Sequence, residues 1–206
     1  MNYTRFYLVR HGETEWNKVN RLRGRSDILL NEVGLKQAET AGQKLSSKKI
    51  TFVYTSPLKR AIQTAQKISK YHNLEPVINE SFHDFDFGKW SGMQRDQIYK
   101  EWEKDYKFYK EHPQLFKAPG GESFWDVRKR VLFGLKELAC KHTGQEIVIV
   151  SHNVTLVITI LAILDISFQN YWSINPDNAS ITVFTSSIDG KFVLECFNDT
   201  CHLSKI

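Results

Sequence analysis

Along the chain, short continuous apolar runs alternate with segments of helical period. Residues 5–10 (RFYLVR) are a run of strand formers that stops at a charged pair, Arg10-His11, and then Gly12. Asn31 can cap a helix that carries Val33, Ala38, Ala41 and Leu45 on one face. "ITFVYTS" predicts a second strand. "PLKRAIQTAQKISKYH" predicts a helix with proline in its first turn and Ala61, Ala65 and Ile68 at helical spacing. "EPVINES" predicts a short third strand. Residues 82–121 are irregular and aromatic, with a helix predicted over 94–109. Ser123 and Asp126 have the spacing of a capping box for a helix reaching about Lys141. "ASITVFTSS" and "FVLECFN", joined through Asp-Gly, predict a closing hairpin.

Residues 147–164 (IVIVSHNVTLVITILAIL) are long enough to cross a bilayer. Ser151, His152 and Asn153 interrupt them, however, and such groups are costly in hydrocarbon. The first part reads as a strand buried on both faces and the second as a core helix, apolar all round. No membrane association is expected. Strands alternating with helices imply a three-layer α/β/α fold, with a mostly parallel sheet and an antiparallel edge from the hairpin. No repeat or linker divides the chain. It reads as one domain over 1–206, with 82–121 inserted over one end of the sheet.

Composition adds limits rather than direction. The 206 residues, 41% hydrophobic and 25% charged, are ordinary for a globular chain with a core. The net charge of +5 mildly favours anionic partners. No basic block stands out, so a pocket for a small anion is favoured over nucleic acid. Three cysteines without a C-x-x-C pair argue against a disulfide framework and against structural zinc. A reducing cytoplasm is the expected setting, since no apolar secretory segment opens the chain.

The candidate chemistry lies at strand ends. In an open α/β sheet, ligands bind beyond the carboxyl ends of the strands. Three strands end in polar punctuation: Arg10-His11-Gly12, Ser56-Pro57-Leu58-Lys59-Arg60 and Ser151-His152-Asn153. Each alone has an ordinary reading, a hydrogen-bonded histidine or a solvated helix charge. Together they bring two histidines and two arginines to one cleft, which suits a dianionic phosphoryl group. A neutral imidazole can attack phosphorus, and the arginines can stabilise charge on its equatorial oxygens. No carboxylate cluster suggests a metal cage, so neither metal nor cofactor is expected. An acid is still needed to protonate the leaving alkoxide.

These residues resemble the histidine phosphatase superfamily, the phosphoglycerate mutase-like proteins. "LVRHGETEWN" is similar to its Arg-His-Gly signature, "YTSPLKRAIQTA" to its second phosphate-binding segment, "PGGESFWDVRKRV" to its helix start and "VIVSHN" to its second histidine motif. The resemblance implies His11 as the phosphorylated nucleophile. Arg10, Arg60 and His152 would bind the phosphoryl group with Asn17 beside them, and Gly24 and Asn153 would offer backbone contacts. The family's acid lies four residues before a glycine. Counting back from Gly88 in "HDFDFGKWSG" gives Asp84, where glutamate is usual. Its neighbours Asp86 and Glu80 read as a turn carboxylate and a solvated one. Arg23 stands where glutamine is usual, and Asn153 where glycine is.

The chain lacks the longer insertions of mutases. The resemblance therefore favours a phosphatase similar to the alpha-ribazole and broad-specificity phosphatase branches. Its substrate would be a small phosphomonoester, with alpha-ribazole 5′-phosphate as one candidate. A phosphoglycerate mutase and a non-catalytic phospho-ligand module are the alternatives. The aromatics of "KEWEKDYKFYKEHPQLFKAP" either form a lid that contacts the leaving group or pack the insertion onto the domain, and packing is favoured for most. A monomer and a homodimer are equally compatible with the sequence.

Overall fold

A computed structural model describes residues 3–204. The strand β1 (Tyr3–Arg10) lies near the middle of the sheet, and a one-turn helix, α1 (Glu15–Lys18), follows it. The chain continues through α2 (Glu32–Leu45), β2 (Ile50–Thr55), α3 (Lys59–Ser69) and β3 (Val77–Ile78). Residues 82–121 hold α4 (Arg95–Glu101) and α5 (Glu103–Glu111). Then come α6 (Phe124–Lys141), β4 (Glu146–Ser151), α7 (Asn153–Ile163), β5 (Ile181–Ser187) and β6 (Phe192–Asp199).

The six strands run in the order β3-β2-β4-β1-β5-β6. The first four are mutually parallel, β5 is antiparallel to β1, and β6 is antiparallel to β5. The strand β1 is buried on both faces, as a parallel strand between two helical layers must be. Phe6 and Leu8 pack with Leu135, Leu138 and Leu156 of α6 and α7. Tyr7 and Val9 pack with Leu45, Ala61, Ala65 and Ile68 of α2 and α3. Every residue of α7 from Val154 to Ile163 is buried, so this apolar segment is a core helix. No helix among the described residues is long and apolar enough to cross a membrane.

Four local expectations change. Val33 is 37% exposed, and the buried face of α2 instead uses Gly34, Ala38, Ala41, Gly42 and Leu45. The reason is close backbone approach: a Cβ on Gly34 would lie 2.0 Å from the Glu13 carbonyl oxygen. Pro57 precedes the helix rather than opening it. Leu58 is the extended N-cap of α3, and the Lys59 N–H donates to Asp27 Oδ1 at 2.9 Å. The third strand shrinks to two exposed residues on the sheet edge. The helix expected over 94–109 is two helices broken at Trp102, whose ring packs against the aromatic core. That core takes in Trp90, Tyr109, Phe116 and Phe124, so packing is the main use of the insertion's aromatics.

Candidate active site

Three parallel strands end level with one another. Arg10 is in register with Ser151 and Thr55 with Val150, so the residues that follow emerge side by side. The His11 N–H donates to the Ser151 carbonyl at 3.0 Å and the Ser56 N–H to the Val150 carbonyl at 3.0 Å, extending the ladder into the loops. Gly12 lets the chain turn there, because a Cβ would lie 2.4 Å from the Gly34 carbonyl oxygen. The two histidines thus face each other, with ring centroids 5.1 Å apart.

His11 is fully buried. Its Nδ1 lies 2.6 Å from the Gly12 carbonyl oxygen, a contact that requires the proton on Nδ1. Nε2 is left without a partner and carries the free lone pair. Burial pushes this imidazole well below the ordinary histidine range, and the nearby Arg60, Arg23 and Arg10 push the same way. The ring is therefore neutral, as a nucleophile must be. Asn178 Nδ2 donates to the His11 carbonyl at 3.0 Å and holds its backbone. His152 is also fully buried and held well below its usual range, first by burial and then by Arg60 and His11. Its Nδ1 accepts from Arg60 Nε at 3.2 Å, so Nε2 carries the proton and donates to Ser56 Oγ at 2.7 Å.

Arg60 is 0% exposed and spreads its donors over the floor. Its NH1 reaches the Ser26 carbonyl at 2.7 Å, and its NH2 reaches the Gly24 carbonyl and Asp84 Oδ2, both at 2.8 Å. Asp84 is 5% exposed, and its Oδ1 accepts the Phe85 N–H at 2.8 Å. Its carboxylate thus stands against the guanidinium and 3.7 Å from His152 Nδ1. The other two acids stand apart. Asp86 accepts the Gly88 N–H in a turn, Glu80 is exposed, and neither lines the cleft.

Above this floor is a cleft of about 500 Å³. Arg10 enters from below with NH1 on the Pro176 carbonyl at 2.6 Å and Nε unpartnered. Burial and then Arg23 push its guanidinium down to about 9. Arg23 is pushed down to about 10, chiefly by burial, and its Nε is also unpartnered. Asn17 accepts from the Thr14 N–H at 3.0 Å and Oγ1 at 2.8 Å, and its Nδ2 donates to Asn178 at 3.2 Å. It therefore lines the cleft as the closing residue of a capping box. Gly24 lines the wall with φ +48°. Asn153, in the first turn of α7, lines it with its amide donating to Asn175 Oδ1 at 3.3 Å.

Five of the eight sequence-predicted site residues, Arg10, Asn17, Gly24, Asp84 and Asn153, line this cleft, and the other three, His11, Arg60 and His152, are fully buried next to them. Ser56, Asn178 and Arg23 were not assigned roles from sequence. Ser56 had a signal, since it follows a strand at the level of His11. Asn178 had none, because its partners lie 161 and 167 residues away. Further out, Arg21, Arg95 and Lys110 line the mouth beside Tyr109, Tyr171 and Trp172. Lys110 Nζ sits 3.5 Å above the Trp172 ring. Asp84 is the single carboxylate among the lining residues. Among the described residues, no group of three or more His, Cys, Asp or Glu side chains is placed to hold a metal.

Comparison with known proteins agrees with this geometry. A family model described as the histidine phosphatase superfamily (branch 1) matches residues 6–200. Phosphoserine phosphatase 1 of Hydrogenobacter thermophilus is 37% identical, over 96% of this chain and 93% of its own length. The solved structure of Bacillus stearothermophilus YhfR superposes with a TM-score of 0.93 at 29% identity, covering 98% of this chain and 100% of that one. A phosphoserine phosphatase from Entamoeba histolytica, solved with 3-phosphoglyceric acid, has a TM-score of 0.86 at 31% identity, covering 97% and 99%.

Proposed function

Because the chain belongs to branch 1 of the histidine phosphatase superfamily, we propose that it is a metal-independent phosphomonoesterase working through a phosphohistidine on His11. One observation carries this reading: His11 is buried and neutral, with Nδ1 spent on the Gly12 carbonyl and Nε2 left free. An imidazole so oriented is a preorganised nucleophile. Arg10, Arg60 and Arg23 surround it and take up charge on the phosphoryl oxygens, while His152 lies alongside.

In the first step Nε2 bonds to phosphorus and the ester oxygen leaves. An alkoxide leaves poorly without a proton, and Asp84 supplies it. Asp84 is the counter-ion of Arg60 at 2.8 Å. An arriving phosphoryl dianion competes for that guanidinium and so loosens the carboxyl from it. In the second step Asp84, now ionised, takes a proton from water as the water oxygen attacks phosphorus and the P–N bond breaks. Alcohol and phosphate are released. Asn17, Gly24 and Asn153 border the phosphoryl group, and residues 82–121 supply the acid and the outer wall.

The mouth favours a substrate that is anionic beyond its phosphate. Arg21, Arg95 and Lys110 face the cleft there, while Asp84 is the one carboxylate among its lining residues. A carboxylate on the leaving group answers that charge. Phosphoserine, for which one relative is named, and 3-phosphoglyceric acid, bound in the solved Entamoeba histolytica phosphoserine phosphatase, both have one. Alpha-ribazole 5′-phosphate has no second anion and fits less well.

The test measures phosphate release from phosphoserine, 3-phosphoglycerate, alpha-ribazole 5′-phosphate and p-nitrophenyl phosphate, with and without EDTA. Turnover in EDTA with preference for the carboxylates is expected. Quenching in alkaline denaturant should find phosphate on His11. Conversion of 3-phosphoglycerate into its 2-isomer without phosphate release indicates a mutase, and binding without turnover a non-catalytic module. Label on His152 reverses the nucleophile assignment.

A further inference from the structure

Asp84 sits on an irregular, buried loop, and such a loop keeps its shape only if its backbone groups find partners. Four consecutive carbonyls, 81 to 84, are taken by side chains. Arg130 on α6 donates NH1 to the Ser81 and His83 carbonyls at 2.9 and 2.8 Å, and NH2 to the Asp84 carbonyl at 3.3 Å. Ser151 Oγ holds the Phe82 carbonyl at 2.7 Å, and Thr155 Oγ1 adds a second bond to that of His83 at 2.8 Å. Arg130 is itself fixed by Glu122, with Nε to Oε1 at 3.0 Å and NH2 to Oε2 at 3.2 Å. Glu122 also grips the loop directly, because its Oε2 accepts the Asp86 N–H at 3.0 Å and its own N–H donates to the Asp86 carbonyl at 3.0 Å. The turn before Glu122 lies flat against the loop. A Cβ on Gly121 would be 2.2 Å from the Asp86 carbonyl oxygen, and one on Gly88 2.2 Å from that of Pro119.

We infer that Arg130 and Glu122 are positioning residues for the general acid: the paired guanidinium fixes where the 81–86 backbone runs, and so where the Asp84 carboxyl meets the leaving oxygen. The inference rests on Asp84 being the acid. Arg130 acts through its hydrogen bonds, and Glu122, a carboxylate it shares with Arg25, pairs with it at 3.0 Å. Its planar fork bonds three carbonyls and a carboxylate at once, which the ammonium of lysine cannot do. An aspartate is one methylene shorter than glutamate, so its backbone must approach closely. Its position then tolerates little error, and misplacement by about 1 Å costs roughly a hundredfold.

The test separates an acid-specific loss from a general one. Arg130→Lys, Glu122→Gln and Asp84→Asn are assayed with an alkyl phosphate, whose leaving group needs a proton, and with p-nitrophenyl phosphate, whose leaving group does not. Asp84→Asn should lose roughly a hundredfold or more on the alkyl ester alone. Arg130→Lys should lose about ten- to a hundredfold on the alkyl ester and less than about threefold on the nitrophenyl ester. Glu122→Gln should show a smaller loss of the same selectivity, and it decides the matter if Arg130→Lys does not fold. Adding Arg130→Lys to Asp84→Asn should cost nothing further on the alkyl ester. Equal losses on both esters in Arg130→Lys or Glu122→Gln, beside a selective loss in Asp84→Asn, overturn the positioning role alone. No selective loss in Asp84→Asn overturns the acid assignment and this inference with it.

Discussion

The floor of the cleft and its mouth are built by opposite rules. The floor residues His11, Arg60 and His152 are 0% exposed, stand at or just beyond strand ends and engage nearly every polar atom. The mouth residues Arg95 and Lys110 are exposed, stand on two short helices and pair with no carboxylate among the described residues. A rigid, desolvated floor suits a reaction whose geometry must not vary. A solvated mouth of unpaired cations suits recognition, where charge matters more than position. The comparison assigns rate to the floor and substrate choice to the mouth, and each half can be broken separately.

The largest break is at the nucleophile. His11→Ala removes the one free imidazole nitrogen on the floor while leaving the mouth intact. Turnover should fall by roughly 10⁴-fold or more for every substrate, as when other covalent catalysts lose their nucleophile. Affinity for a carboxylate-bearing phosphomonoester, read by titration calorimetry, should change little. Retained turnover, or lost binding with an intact fold, contradicts the division.

Arg60 tests how far the floor is also structural. Arg60→Met leaves Asp84 buried without its counter-ion, and breaking such a buried pair costs about 3–5 kcal/mol. Denaturant unfolding should show this cost. Lys110→Met, at an exposed site, should stay within about 0.5 kcal/mol of the wild type. Equal stability of the two variants removes the contrast.

Buried histidines give the floor a pH signature that the mouth lacks. His11 and His152 have lowered values in the folded chain, so below about pH 6.5 the unfolded chain binds protons that the native one refuses. Their contribution is fully present above that pH and shrinks as pH falls below it. Each contributes a slope approaching about 1.4 kcal/mol per pH unit below pH 6. His11→Asn should flatten the fall in urea midpoint between pH 6 and 5 by about one proton's worth. An unchanged slope means that His11 is protonated in the native state.

Much of the floor was legible in the sequence, because strand ends are local. Arg10-His11, Arg60 and Ser151-His152 each terminate or follow an apolar run, and parallel order puts those ends together. The mouth and the acid loop were less legible, because long-range contacts fix them. The clamp of Arg130 on carbonyls 81, 83 and 84 spans 46 to 49 residues, and nothing in the spacing of "WDVRKRV" points back to "SFHD". The break at Trp102 escaped for a similar reason: an aromatic core formed by distant residues captured its ring and overrode a continuous helical pattern. Val33 and Pro57 misled by one residue each, since backbone docking at Gly34 and the Asp27 contact at Lys59 decide where those helices face and start.

The smallest effect sharpens the mouth half of the comparison. Lys110 lies over the Trp172 ring, and burial, then Arg95, hold it below its usual range. Part of that cost is recovered when an anion arrives. An exposed charge pair contributes only about 0.2–1 kcal/mol, so Lys110→Met or Arg95→Met should raise KM for phosphoserine or 3-phosphoglycerate by roughly two- to fivefold. kcat should hold, because the contact exists equally in ground and transition states. p-Nitrophenyl phosphate, without a carboxylate, should show no change in either constant. Screening must mimic the mutation: the Debye length is about 10 Å at 0.1 M salt and about 3 Å at 1 M, so added salt should raise KM for the carboxylates in the wild type and less in the variants. If KM for the nitrophenyl ester rises equally, the mouth cations serve the phosphoryl group itself, and recognition and rate share the same charges.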